Sequence, residues 1–135
     1  KIYDDFMPKF LDEVKTLKMG DPLREETRLG PMIDEQSAQR IESWVNEAVK
    51  DGAVLSYGGG RKGTLYEPTI LTKTTPQMKV NMDELFAPAV TVSRHDTFEE
   101  AVRRINDSAY GLQASVFTNN IRHVFYAYEY LEVGG

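Results

Sequence analysis

The amino-acid sequence predicts an α/β fold in which a mostly parallel sheet is flanked by helices. Apolar residues recur every three or four positions in several segments, the period of an amphipathic helix, and short runs rich in β-branched residues stand between those segments. From Ala89 to the end the two kinds of segment alternate. Strands separated by helices cannot pair as hairpins, so parallel pairing through right-handed crossovers is expected.

Ile2, Phe6, Phe10, Val14 and Leu17 draw one apolar stripe along a first helix that Gly20 and Pro22 terminate. A polar connection from Asp21 to Pro31 holds two prolines. Beyond it Ala38, Ile41, Val45 and Ala48 mark a second helix, capped by Asp34 and ended at Gly52, with Trp44 and Val49 widening its stripe. Ala53 to Tyr57 reads as a short strand, Gly58 to Gly63 as a glycine-rich loop, and Thr69 to Leu71 as a second strand behind Pro68. A short helical connection from Met78 leads through Glu84-Leu85-Phe86-Ala87-Pro88 into the strand Ala89 to Ser93.

Thr97 followed three residues later by Glu100 is a capping box, and Phe98, Ala101, Val102 and Ile105 supply the core face of the helix it opens. Asn106 to Gly111 stops that helix. Gln113 to Phe117 reads as a strand, Thr118 as the cap of a last helix carrying Ile121, Val124, Tyr128 and Leu131, and Val133 as the start of a further strand. No internal repeat, low-complexity segment or linker divides the chain.

Composition excludes several classes of function. Hydrophobic residues are 41% and charged residues 27% of the 135, as in a globular domain. The formal net charge is -5, and Lys and Arg are scattered among Asp and Glu, so no basic stripe is offered to nucleic acid or to an anionic membrane. No apolar run approaches the roughly 20 residues that span a bilayer. The acidic start, Lys1-Ile2-Tyr3-Asp4-Asp5, is unlike a signal peptide, so a cytoplasmic location is expected. The chain opens without Met and closes on Val133-Gly134-Gly135 straight after a helical pattern, and both ends read as cut. It contains no Cys, hence no disulfide, no thiolate metal site and no thiol nucleophile.

Gly58-Gly59-Gly60-Arg61-Lys62-Gly63 satisfies the G-x-G-x-x-G spacing of a dinucleotide loop and follows a strand. The fingerprint works by pointing the N-terminal amides of a helix at a pyrophosphate, and Thr64 to Pro68 leave no room for that helix. A solvated loop is the better reading. His95 and His123 have no second ligand at a metal-like offset, and Glu99-Glu100 falls on a helix surface. Tyr126, Tyr128 and Tyr130 spread aromatic surface around the last helix, which reads as packing against sequence outside this chain in preference to a ligand pocket.

Glu84 and Phe86 stand two residues apart before a proline at the mouth of a strand, so in extended chain their side chains share one side. A carboxylate there can accept from both hydroxyls of a ribose, and a phenyl ring can cover a flat heterocycle, which suits a nicotinamide riboside.

The segment Glu84-Leu85-Phe86-Ala87-Pro88 resembles the E-x-F-G-P motif of the aldehyde dehydrogenase superfamily, departing from it at Ala87, where Gly is usual. Further pieces look like that family and stand in its order. They are Gly20-Asp21-Pro22, Gly30-Pro31-Met32-Ile33, Glu67-Pro68-Thr69-Ile70-Leu71, the run Asn106 to Leu112, and Ala114-Ser115-Val116-Phe117-Thr118. The resemblance implies that residues 1–135 are part of the catalytic domain of an NAD- or NADP-dependent enzyme that oxidises an aldehyde to a carboxylic acid through a cysteine thiohemiacetal and thioester. It places Glu84 on the nicotinamide ribose and Phe86 beside the nicotinamide ring. It places the catalytic cysteine and general-base glutamate upstream and oligomer-forming segments downstream, so the intact protein is expected to be a homo-oligomer with an aldehyde substrate. The chain alone, without a thiol, is expected to be inactive, with no catalytic residue and no metal ligand of its own. The competing reading is a noncatalytic α/β binding or assembly module derived from the same family.

Overall fold

A computed structural model describes residues 2–134. The chain divides into two compact units, one ending at Ser93 and the other beginning at Arg94.

In the first unit α1 spans Ile2–Lys15, with Asp4 and Asp5 in its first turn and Lys15 in its last, charges that suit the helix dipole. It accommodates Pro8 in its interior, and Phe6 stacks on Phe10 one turn on at 5.2 Å. The apolar stripe predicts a helix that continues to Leu17. Instead the helix tightens after Lys15, where Thr16 N donates to Glu13 O and Leu17 N to Val14 O in three-residue turns. The following connection folds back on itself: Arg28 N donates to Lys18 O and Gly20 N to Leu29 O.

The second helix, α2, spans Glu35–Lys50 as the sequence indicates. The Asp34 carboxylate accepts from Ser37 N at 2.7 Å, and that bond holds its pKa below the ordinary carboxylate value. Ala38, Ile41, Val45 and Ala48 are all buried. Ile41, Val45 and Ala48 form one cluster with Ala53, Tyr66, Leu71, Met78 and Val80, against which Met32, Trp44, Leu85 and Ala87 pack. Burial of each large aliphatic side chain here is worth about 1.5–3 kcal/mol, so this cluster dominates the stability of the unit.

The sheet has the order β1-β4-β5, where β1 is Val54–Tyr57, β4 is Thr69–Thr72 and β5 is Ala89–Val92. All four residues of β4 are buried, as befits the central strand. Here the expectation of a mostly parallel sheet needs correction. The α/β class stands, but the sheet is mixed: β4 pairs β5 in parallel and β1 antiparallel. The reason lies in the connections. Between β4 and β5 the chain makes room for a short helix, α3 (Lys79–Met82), whereas between β1 and β4 it has no helix to carry it across and simply returns. That return contains a small hairpin of β2 (Arg61–Lys62) and β3 (Leu65–Tyr66), so the glycine-rich segment Gly58 to Gly63 is not loop throughout. Arg61 Nε donates to Glu42 on α2 at 2.8 Å, which ties the hairpin to the helix and raises the Arg61 pKa.

In the second unit α4 spans Phe98–Asn106 and α5 spans Ile121–Tyr130, with Val102 and Ala127 buried. Phe98 stacks on His123 at 4.3 Å, and Tyr126 meets both Phe98 and Tyr130. The capping box is displaced by one residue. Thr97 Oγ1 accepts from Glu100 N, but the Glu100 carboxylate accepts from Asp96 N in place of the Thr97 amide.

Three readings in this unit are corrected. Gln113 to Phe117 is not a strand, because it makes no ladder with any described residue; Phe117 is 94% exposed. Asn120, not Thr118, caps α5: its Oδ1 accepts from Arg122 N, while Thr118 Oγ1 accepts from Asn120 N. Val133 enters no strand among the described residues; Gly134 N instead donates to Gly111 O. Asn106 closes the unit by donating to Tyr130 O at 2.6 Å and accepting from Glu132 N at 3.0 Å.

Candidate functional site

Residues 83–88 leave α3 and enter β5 without regular secondary structure, and from Glu84 to Ala87 their in-out pattern alternates. Leu85 and Ala87 face inward and pack on the core cluster, while Glu84 and Phe86 are exposed, Phe86 to 78%. The two inward residues therefore pin a ledge that turns a carboxylate and a phenyl ring outward. Ala87 has a definite place in this arrangement, its methyl resting on the core.

Beyond the ledge, Thr69 N donates to Pro88 O at 2.8 Å and Ala89 N to Ala87 O at 2.7 Å, so the chain is already fixed to β4 when it emerges from Pro88. On the other side of Phe86, the Leu85 carbonyl accepts from Arg40 Nη2 of α2 at 3.1 Å. Arg40 in turn lies over the Trp44 ring, 4.5 Å from its centroid.

Phe86 has a φ of 45°, in the left-handed region. A non-glycine residue held there costs about 1–3 kcal/mol and persists where its surroundings over-determine it, often at a binding site. No described residue donates a hydrogen bond to the Glu84 carboxylate, whose acceptor capacity is left to solvent or a ligand.

The other sequence candidates take other parts. Gly58 to Gly63 is not a phosphate loop: β2 lies within it, no helix opens there, and two of its amides are committed. Gly59 N donates to Thr69 Oγ1 at 2.9 Å and Gly60 N to the Glu67 carboxylate at 2.9 Å. Gly58 packs closely against Pro68 and Thr69, where β4 begins. His95 Nδ1 lies 3.7 Å from the Glu100 carboxylate and His123 is stacked in the aromatic row. Among the described residues no cluster of His, Cys, Asp and Glu has the makings of a metal site, and no helix is long and apolar enough to cross a membrane. On α5, Tyr128 is 89% exposed and Phe125 and Ile121 are also largely exposed, whereas Tyr126 joins the aromatic row.

The sequence singles out Glu84 and Phe86, which the structure leaves exposed on one segment, and gives no sign of Arg40 beside them. Its spacing of four from Trp44 signals their stacking on α2. The 45 residues between Arg40 and Leu85 carry no local signal of their contact.

The sequence profile of the aldehyde dehydrogenase family matches residues 1–135. The chain is 44% identical over 134 residues to 3-sulfolactaldehyde dehydrogenase of Priestia aryabhattai, covering 99% of this chain and 28% of that protein. Among solved structures, aldehyde dehydrogenase 21 from Physcomitrella patens, in complex with the reaction product succinate, superimposes with a TM-score of 0.96 at 44% identity, covering 99% of this chain and 28% of that one. Betaine aldehyde dehydrogenase from Staphylococcus aureus, in complex with NAD+, does so with a TM-score of 0.91 at 34% identity, covering 98% of this chain and 28% of that one.

Proposed function

Since the chain belongs to the aldehyde dehydrogenase family along its whole length, we propose that it is the part of an NAD- or NADP-dependent aldehyde dehydrogenase that holds the nicotinamide riboside. The chain spans 28% of the relative it matches at 44% identity, so the activity is that of a longer protein. NAD(P), when bound, supplies the hydride acceptor for oxidation of the aldehyde carbon. The solved relative with NAD+ supports that cofactor.

The observation that carries the reading is the ledge itself. Glu84 offers a carboxylate with free acceptor capacity for the ribose hydroxyls, and Phe86 offers an exposed ring face held in a strained backbone conformation. Glu84 orients the sugar and Phe86 covers the ring, so the work of this segment is positioning. It holds no thiol, and the 135-residue chain by itself does not oxidise aldehydes. The longer protein acts in the cytoplasm as a homo-oligomer.

Changing Glu84→Gln in the full-length enzyme keeps the size but weakens acceptance from the ribose hydroxyls. Hydride transfer is sensitive to misplacement of about 1 Å and should slow by about 10- to 100-fold. Substrate deuterated at the aldehyde carbon should show a larger isotope effect than with the wild type, while cofactor-independent ester hydrolysis stays nearly unchanged. If both activities fall together, Glu84 shapes the fold or the thiol site, and the cofactor reading is wrong. A noncatalytic module would show neither activity in the wild-type protein.

A further inference from the structure

We propose that Arg40 is a positioning residue for hydride transfer, acting through the Leu85 carbonyl to hold the Glu84–Phe86 ledge in register; this rests on the cofactor reading above.

The Leu85 carbonyl belongs to the peptide unit that joins Leu85 to Phe86, between the two residues assigned to the cofactor. The orientation of that plane sets the φ of Phe86, which stands at 45°. Left free, the plane would rotate to return Phe86 to the ordinary negative φ region, redirecting the Phe86 ring relative to the Glu84 carboxylate. Among the described residues no backbone N–H reaches the Leu85 carbonyl, and Arg40 Nη2 donates to it at 3.1 Å from α2. The neighbouring restraints, Leu85 and Ala87 on the core and Pro88 O accepting from Thr69 N, fix where the ledge lies, and none of them is a hydrogen bond to this peptide plane.

Arg40 is suited to the task because it is itself held. Its guanidinium lies over Trp44 one turn along α2, and Trp44 packs on the core cluster. A planar, charged donor stacked on an aromatic face keeps its direction, which a lysine ammonium on a flexible stem would not. The chain of contacts thus runs from the core through Trp44 and Arg40 to the one peptide plane whose tilt decides how the ledge faces the cofactor.

The test compares Arg40→Met and Arg40→Lys with wild type in the full-length enzyme, by single-turnover hydride transfer with protonated and deuterated aldehyde, cofactor KM, and ester hydrolysis. Arg40→Met should slow hydride transfer by about 10-fold and enlarge the isotope effect. Cofactor KM should change by less than about threefold, since other cofactor contacts are retained, and ester hydrolysis should stay near wild type. Arg40→Lys should recover part of the loss. In the double variant with Glu84→Gln the two losses should combine to less than their product, because both act through one ledge.

A fall in ester hydrolysis parallel to hydride transfer in both Arg40 variants would make Arg40 a structural residue and overturn the proposal. A cofactor KM raised more than kcat is lowered would make it a direct cofactor ligand, which also overturns it. If Glu84→Gln slows hydride transfer but Arg40→Met does not, the positioning role fails while the cofactor reading survives. If Glu84→Gln has no effect, the cofactor reading itself fails.

Discussion

Replacing Gly58 with Ala tests how the glycine-rich segment works. Gly58 has a φ of 74°, and a Cβ placed on it would lie 2.0 Å from the Pro68 carbonyl oxygen and 2.9 Å from its carbon. Neither atom can move alone, because Pro68 leads directly into β4. Gly63 provides the control. Its φ of 61° is similar, but nothing lies within 4 Å of a Cβ there. Both variants incur the left-handed backbone penalty, about 1–2 kcal/mol. Only Gly58→Ala must also push the hairpin return away from β4, an overpacking cost of about 1–3 kcal/mol or more. Gly63→Ala should therefore destabilise by about 1–2 kcal/mol and Gly58→Ala by at least about 1 kcal/mol beyond that. Urea unfolding of the two variants side by side, followed by circular dichroism, reads the difference. Equal midpoints would show that Gly58 is required only for its φ, and the close approach to Pro68 would have been wrongly held to matter.

Tyr66 is 1% exposed and its hydroxyl lacks a hydrogen-bond partner among the described residues; the nearby Thr69 hydroxyl is committed to the Glu67 carbonyl, and burial raises the Tyr66 pKa. Tyr66→Phe should then be neutral or stabilising by up to about 1 kcal/mol, and a loss beyond that in thermal unfolding would reveal a hidden partner. At Asp34 the folded pKa is depressed by the Ser37 amide, so its contribution is present above the unfolded value of 3.8 and is lost as pH falls through the lower folded value. The stability gap between wild type and Asp34→Ala should hold at neutral pH and close under acid; a gap unchanged between pH 6 and about pH 2 would show that the carboxylate charge is irrelevant to the cap.

The part of the chain decided by local rules was legible in the sequence. The 3.6-residue period placed Ala38, Ile41, Val45 and Ala48 on one face and Asp34 at the helix start, and all five behave so, because a helix carries its own hydrogen bonds and its stripe alone says which side is buried. That Glu84 and Phe86 are both exposed agrees with the alternation expected of extended chain, although Phe86 itself, with a φ of 45°, is not extended. Strand direction was not legible, because it depends on how the chain between two strands is taken up: the hairpin at Arg61–Tyr66 turned β1 and β4 antiparallel, and Gln113 to Phe117 has strand-like residues but no described neighbour to bond. Nor could the sequence show the left-handed φ of Phe86 or the reach of Arg40 across 45 residues to the Leu85 carbonyl. Those belong to the tertiary structure alone, because strain at one residue persists only when distant parts of the chain, packed together, hold it there.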